Sequence, residues 1–291
     1  GRLGGIVPDP EEIDNSTERE YQVAEDLMAN LNLNSMKEDI IAPENLVYEK
    51  PSLMNDTPMH YCPGCSHGVV HKLVAEVIEE MGMQDKAVGV SPVGCSVFAY
   101  RYIDIDWSEA AHGRAPAVAT GIKRCWPDRL VFTYQGDGDF ASIGLAESVS
   151  AANRGENITV IFINNGIYGM TGGQMSWTTM EGQKTTTSQH GRDCSITGAP
   201  IRFPEMVARE FDIAYAARGS VSSPANIRKT KKFITEALKA QMNKEGYSIV
   251  EVLSPCPVNW GMTPIQAMER LDKEVEPYYP VGVIKARKEA K

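Results

Sequence analysis

The chain has 291 residues, 42% of them hydrophobic, enough for one large α/β domain or two small ones. Its formal net charge of −9 argues against nucleic acid as a partner, and no apolar stretch approaches the roughly 20 residues of a bilayer span. Gly1-Arg2-Leu3-Gly4 lacks a signal peptide's apolar run, so the expectation is a cytoplasmic protein with neither nucleic-acid nor membrane partners.

Residues 1–50 carry 12 acidic side chains against four basic ones. Val23, Leu27 and Leu31 fall four apart and predict an amphipathic helix over 17–31, capped by Thr17 or Ser16. The segment reads as a partly ordered acidic extension, or as an arm that docks on a partner. From about residue 58 strands and helices alternate. A helix over 69–81 stops at Gly82, and a buried strand follows at 87–93. Next come a small-residue helix at 115–124, a strand at 129–135, a helix at 142–154 and a β-branched strand at 158–164. A helix at 204–211 with proline in its first turn leads to a strand at 214–221. A long amphipathic helix at 224–243 and a strand at 248–253 complete the series. Such alternation predicts an α/β fold, a mostly parallel sheet with helices on both faces. The domain boundaries read as an extension 1–50, an α/β domain 51–264 and a C-terminal tail 265–291.

Two constellations carry chemistry. Gly136-Asp137-Gly138 follows one strand, and Asn164-Asn165 closes the next, with 25 residues between them (139–163). Ligands of open parallel sheets bind at the carboxyl ends of strands, so the two sequences should be neighbours. Asp137 offers a carboxylate oxygen and Asn165 an amide oxygen, a donor set that suits Mg²⁺ bridged to phosphates. The glycine-rich stretch 166–173 offers N–H groups to anionic oxygens. The second constellation is a cysteine set: Cys62-Pro63-Gly64-Cys65, Cys95 in Pro92-Val93-Gly94-Cys95-Ser96, and Cys256 in Ser254-Pro255-Cys256-Pro257. Spacing alone leaves an iron–sulfur cluster, structural zinc and unligated thiols all open.

The motifs YCPGCSHG, SPVGCSVF, AAHGRAPAVATGIK, YQGDGDFASIG, NNGIYGMTGGQ and SPCPVNWG cover residues 58 to about 264. In that order they resemble the β-type, thiamine-diphosphate-binding subunits of 2-oxoacid:ferredoxin oxidoreductases, most of all the branched-chain group acting on 3-methyl-2-oxobutanoate (2-oxoisovalerate). The resemblance implies the thiamine-diphosphate-binding fold. It implies that Asp137, Asn165 and the Ile167 carbonyl hold Mg²⁺, and that Cys62, Cys65, Cys95 and Cys256 hold one [4Fe–4S] cluster. Cofactor contacts are expected from Cys65, Ser66, His67, Gly136, Asp137, Gly138, Asp139, Asn165, Ile167, Tyr168, Gly169, Met170 and Thr171. His67, His112 and Arg114 are the catalytic candidates, set against plainer roles in fixing the cysteine loop or capping a helix. Cys125 and Cys194 match no ligand position. The 185–188 hydroxyl run reads as a solvated loop, and His190 is given no role.

The implied reaction is oxidative decarboxylation of a 2-oxoacid with coenzyme A as acyl acceptor, electrons leaving through the cluster to ferredoxin. Met170 stands where pyruvate-type relatives carry asparagine, which fits an apolar, branched substrate. Alternatives are 2-oxoglutarate, pyruvate or an aromatic 2-oxoacid. More distant ones are a non-oxidative thiamine-diphosphate decarboxylase and a zinc or electron-transfer scaffold. An α-type pyrimidine-binding subunit, a γ-type subunit, a ferredoxin-like subunit and ferredoxin are the partners implied.

Overall fold

The computed structural model describes residues 42–287, together with Gln22 and Asp26. The chain separates into two units, Gly1–Lys50 and Pro51–Lys291. Of the first, the described part is one 3-10 turn, Pro43–Asn45, followed by irregular chain to Lys50. The helix predicted over 17–31 lies outside the described residues except for Gln22 and Asp26, both helical. The docking role read for that segment likewise lies outside them.

The second unit is built on a seven-stranded sheet. Its strands are β1 (Ala87–Pro92), β2 (Asp106–Ala110), β3 (Leu130–Gly136), β4 (Thr159–Asn164), β7 (Tyr215–Ser220), β8 (Ser248–Leu253) and β9 (Gly282–Lys285). They lie in the order β2-β1-β3-β4-β8-β7-β9, all parallel except β9, which runs antiparallel to β7. A small hairpin of β5 (Ile167–Tyr168) and β6 (Gln174–Met175) stands apart. Strands β4, β7 and β8 are buried along their whole length because helices cover both faces of the sheet.

One face is covered by α1 (His67–Glu80) and α6 (Pro224–Met242). Helix α1 buries Val70, Leu73, Val74, Val77 and Ile78, a single stripe at helical spacing. On the other face lie α2 (Ala115–Cys125), α3 (Leu145–Asn153) and α5 (Phe203–Glu210), which bury Ala115, Ala119, Ala151, Phe203 and Val207. The short α4 (Cys194–Thr197) sits in the long connection before α5. The result is a three-layer α/β/α fold, as the alternation of elements implied.

Three elements depart from the expectations. Strand β2, DWSEA, is polar and partly exposed because it is an edge strand, and its pattern carries no buried-strand signal. The helix expected from 142 starts at Leu145, since Gly138–Ile143 forms a π-helical turn. The segment from 265, expected as a tail, follows the short α7 (Pro257–Trp260) and holds α8 (Pro264–Arg270), a further π-helical turn and α9 (Glu276–Tyr278) before β9. Leu271, Val275 and Tyr279 bury themselves four residues apart, and this stripe anchors the segment on the sheet.

Candidate functional site

Four adjacent strands, β1, β3, β4 and β8, end on one edge of the sheet. The chain leaving them carries Cys95, Asp137, Asn165 and Cys256 respectively. A cleft opens there, lined by His67, Cys95, His112, residues 136–139, Asn165 and residues 167–171. Asp137 is 1% exposed and opens the π-helical turn after β3. Its Oδ2 accepts hydrogen bonds from Ser176 Oγ at 2.8 Å and from Thr178 Oγ1. Burial pushes its carboxyl up to about 6, against the hydroxyls and the Asn165 N–H that favour the charged form. A buried carboxyl in that state is suited to a hard cation. Asn165 stands across the cleft, its Oδ1 accepting from the Ile167 N–H at 3.2 Å. Gly138 must be glycine, because the Tyr168 ring lies 2.6 Å from where a Cβ would stand.

Asp139 is differently employed. Its Oδ1 accepts from Gly113 N–H at 2.6 Å and pairs with His112 Nδ1, while Oδ2 accepts from Gln135 Nε2 at 2.6 Å. Its carboxylate therefore carries the turn that presents His112, whose ring meets Tyr168 edge-on at 6.1 Å. Arg114 is the N-cap residue of α2 and pairs with Glu147 Oε1 at 2.9 Å, and it is not among the cleft-lining residues. His67, the first residue of α1, is buried, stacks on Tyr61 at 4.8 Å and shares a hydrogen bond of 2.8 Å with Tyr134 Oη. Burial pushes its pKa down to about 4, so the ring is neutral.

The cysteines approach from three directions. Cys65 N–H donates to Cys62 O at 3.0 Å, closing the CxxC turn. Gly64, at φ +79°, has Pro264 Cβ 2.6 Å and Pro257 Cγ 3.1 Å from the place of a Cβ, so this loop lies on the segment that carries Cys256. Ser66 Oγ and Ser254 Oγ, 2.6 Å apart, join the same two segments. Cys95 Sγ is 3.3 Å from the Cβ position of Gly169. Asn259 Nδ2 donates to Gly169 O at 3.0 Å and to Cys256 Sγ at 3.5 Å. Burial first, then the neighbouring cysteines, pushes the Cys65 thiol up to about 11 and Cys95 up to about 12. Burial raises Cys256 as well. A cation would favour the thiolate forms that burial opposes, and four cysteine sulfurs are a donor set that fits an iron cluster or zinc. Among the described residues no three His, Cys, Asp or Glu side chains are gathered for a single ion. Cys125 is exposed at the end of α2, and Cys194 opens α4 with its N–H on Glu181.

Sequence reading missed the residues that hold these loops. Ser176 and Thr178 lie in an irregular stretch without hydrophobic period, so nothing marked them as partners of Asp137. Buried Arg192 ties the stretch together, donating through Nη1 to the carbonyls of Trp177 at 3.0 Å and of Thr179, and through Nη2 to Gly198 O at 2.9 Å. Trp260 Nε1 donates to Asn165 O at 3.0 Å. The hydroxyls of 185–188 serve a turn that braces the hairpin, Thr187 Oγ1 accepting from Met175 N–H at 3.0 Å. His190 is exposed.

Residues 92–252 match the family of thiamine pyrophosphate enzymes, at their C-terminal TPP-binding domain. The chain is 47% identical over 247 residues to ketoisovalerate oxidoreductase subunit VorA of Methanothermobacter thermautotrophicus, covering 84% of this chain and 52% of that one. It thus spans about half the length of that relative. It is 35% identical to 2-oxoglutarate synthase subunit KorB of Archaeoglobus fulgidus, covering 74% of this chain and 76% of that one. Among solved structures it resembles 2-oxoglutarate:ferredoxin oxidoreductase from Magnetococcus marinus, with 2-oxoglutarate, coenzyme A and succinyl-CoA bound. The TM-score is 0.66 and the identity 26%, over 84% of this chain and 87% of that one.

Proposed function

This chain belongs to the thiamine-diphosphate-binding, β-type subunits of the 2-oxoacid:ferredoxin oxidoreductases, and on that footing we propose that it binds Mg²⁺, thiamine diphosphate and one [4Fe–4S] cluster. In a cytoplasmic complex it takes part in the oxidative decarboxylation of a 2-oxoacid, with coenzyme A as acyl acceptor and ferredoxin as electron acceptor. The observation that carries this reading is the arrival of Asp137, Asn165, Cys95 and Cys256 on adjacent strand ends, with the Cys62–Cys65 loop laid against the last.

When bound, thiamine diphosphate supplies the electron sink for decarboxylation, and the cluster takes electrons one at a time. The chain supplies the rest. Asp137, Asn165 and the Ile167 carbonyl hold Mg²⁺, the hydroxyls of Ser176 and Thr178 fixing the carboxylate from behind. The N–H groups of residues 169–171 would be offered to the diphosphate, those of Gly172 and Gly173 being spent on closing the loop. Cys62, Cys65, Cys95 and Cys256 ligate the cluster. Neutral His67 and the Asp139-held His112 present polar ring atoms to substrate in the cleft. Arg114, paired with Glu147, steadies the turn that carries His112.

A branched-chain 2-oxoacid suits the cleft best. Met170 lines it, and no Lys or Arg does, so its described walls offer no cation for the second carboxylate of 2-oxoglutarate. The ketoisovalerate relative is also the more similar one. An α-type pyrimidine-binding subunit, a γ-type subunit and a ferredoxin-like subunit complete the complex.

The test is metal analysis of the anaerobically purified complex, with Asp137→Ala alongside. About four irons and four sulfides assigned to this subunit, lost on replacing Cys95 or Cys256, support the reading. Asp137→Ala should abolish Mg²⁺-dependent cofactor binding and keep the iron. Stoichiometric zinc would overturn the cluster, and cofactor binding retained by Asp137→Ala would overturn the Mg²⁺ site.

A further inference from the structure

The sheet buries a charged network that the proposed chemistry does not use. Arg218 on β7 is wholly buried beside Glu251 on β8, its partner in register. Arg218 Nε donates to Glu251 Oε2 at 2.6 Å, while its two terminal nitrogens grip Glu205 on α5 at 2.7 and 2.6 Å. The guanidinium also lies 5.2 Å above the Tyr279 ring. Two carboxylates thus answer one guanidinium. Glu205, whose side chain is 34% exposed, would be enough for neutrality, and Glu251, 1% exposed, is the surplus. Burying a second carboxylate is costly unless its lone pairs are used.

The remaining oxygen of Glu251 has one use. Its Oε1 accepts from Asn164 Nδ2 at 2.6 Å, and Asn164 Oδ1 accepts in turn from Gly166 N–H at 3.1 Å. Asn164 is the last residue of β4, the one before the proposed cation ligand Asn165. With its Nδ2 on Glu251 and its Oδ1 on the Gly166 N–H, the Asn164 amide is held at both ends, and its oxygen fixes the turn that leads to Ile167.

We infer that Glu251 is a positioning residue for the Asn164–Ile167 turn, held by Arg218 and Glu205, and that through Asn164 it sets the affinity for Mg²⁺ and the diphosphate. The link to affinity rests on the function proposed above, whereas the hold on the turn does not.

The test is a double-mutant cycle in the purified complex with Glu251→Leu and Asn164→Ser. Leucine removes the acceptor but leaves Arg218 paired with Glu205. Serine cannot reach Glu251 yet keeps a hydroxyl that can accept from Gly166. Mg²⁺ is titrated with thiamine diphosphate present, and hydrogen exchange of the Gly166 and Ile167 amides is followed without either. Each single variant should weaken Mg²⁺ binding about ten- to a hundred-fold, the range for partners one shell out from a metal. The double variant should be no worse than the weaker single, since both cut the same link. Faster exchange at both amides should accompany the loss in each variant. Unchanged affinity and exchange in folded variants, or losses that multiply in the double, would overturn the inference. If Glu251→Leu does not fold, Asn164→Ser alone decides by the same two readings. Wild type that binds no Mg²⁺ or cofactor would sink the proposed function, and exchange at Gly166 and Ile167 would still decide the role of Glu251.

Discussion

A buried carboxyl group is a burden on the protein while nothing answers its charge, and Asp137, the proposed cation ligand, is such a group. Burial raises its pKa to about 6 from an ordinary value of 3.8. The folded value lies above the unfolded one, so its contribution to stability is fully present below about pH 3.8 and is lost as pH rises through 6. The shift corresponds to about 3 kcal/mol at neutral pH. Asp137→Asn should therefore melt higher than wild type in metal-free buffer at pH 7.5, and the gap should close towards pH 4. Adding Mg²⁺ and thiamine diphosphate should reverse the order at pH 7.5, because only the wild type gains the ligands' stabilisation. Melting curves over pH 4–8, with and without the ligands, check both parts; a metal-free gap that does not change with pH would remove burial as the cause.

Elements differ in how openly the sequence announces them, and the difference is physical. Strands β3 and β4 were legible because both faces are covered, which demands unbroken apolar runs ending at GDG and NN. Their adjacency followed from the connecting helix, and with it the meeting of Asp137 and Asn165. The long connection from 174 to 202 was not legible. It holds position through hydroxyls and one arginine rather than through apolar burial, and a hydrogen-bonded loop has no period. Arg192 is nevertheless its centre, its guanidinium spread over the carbonyls of Trp177, Thr179 and Gly198. Arg192→Lys keeps the charge and loses the planar fork. It should cost about 2–4 kcal/mol, from charged hydrogen bonds worth about 1.5–3 kcal/mol each. The damage should be local: hydrogen exchange should rise across residues 174–198, and Mg²⁺ affinity should fall as Ser176 and Thr178 release Asp137. Uniformly faster exchange across the sheet would instead make Arg192 a general stabiliser of the fold.

At the scale of the whole molecule, the described residues form one thiamine-diphosphate-type sheet with one cleft at its carboxyl edge. The three-layer fold was legible from the alternation of elements. The packing of 265–287 was not, since its stripe of Leu271, Val275 and Tyr279 passes through two changes of helical type. The cleft itself is open on one side, where Val93 and Met170 expose 41% and 45% of their surface. Among the cleft-lining residues the acidic ones are Asp137 and Asp139, and both are engaged, the first by hydroxyls and the second by the His112 turn. No lining glutamate is present to hydrogen-bond the aminopyrimidine of the cofactor, the group that such enzymes use to activate it. On the function proposed above, that group is supplied by the pyrimidine-binding subunit. The chain purified alone should then hold its iron and bind Mg²⁺ with thiamine diphosphate, yet release no CO₂ from 3-methyl-2-oxobutanoate. Adding the pyrimidine-binding subunit should restore CO₂ release and the coenzyme A-dependent reduction of ferredoxin. Met170→Asn should then shift kcat/KM away from the branched acid by about ten-fold, the scale of one or two methylene contacts. Turnover by the chain alone would mean that the described residues contain a proton-handling group of their own, His112 with Asp139 being the pair placed for it.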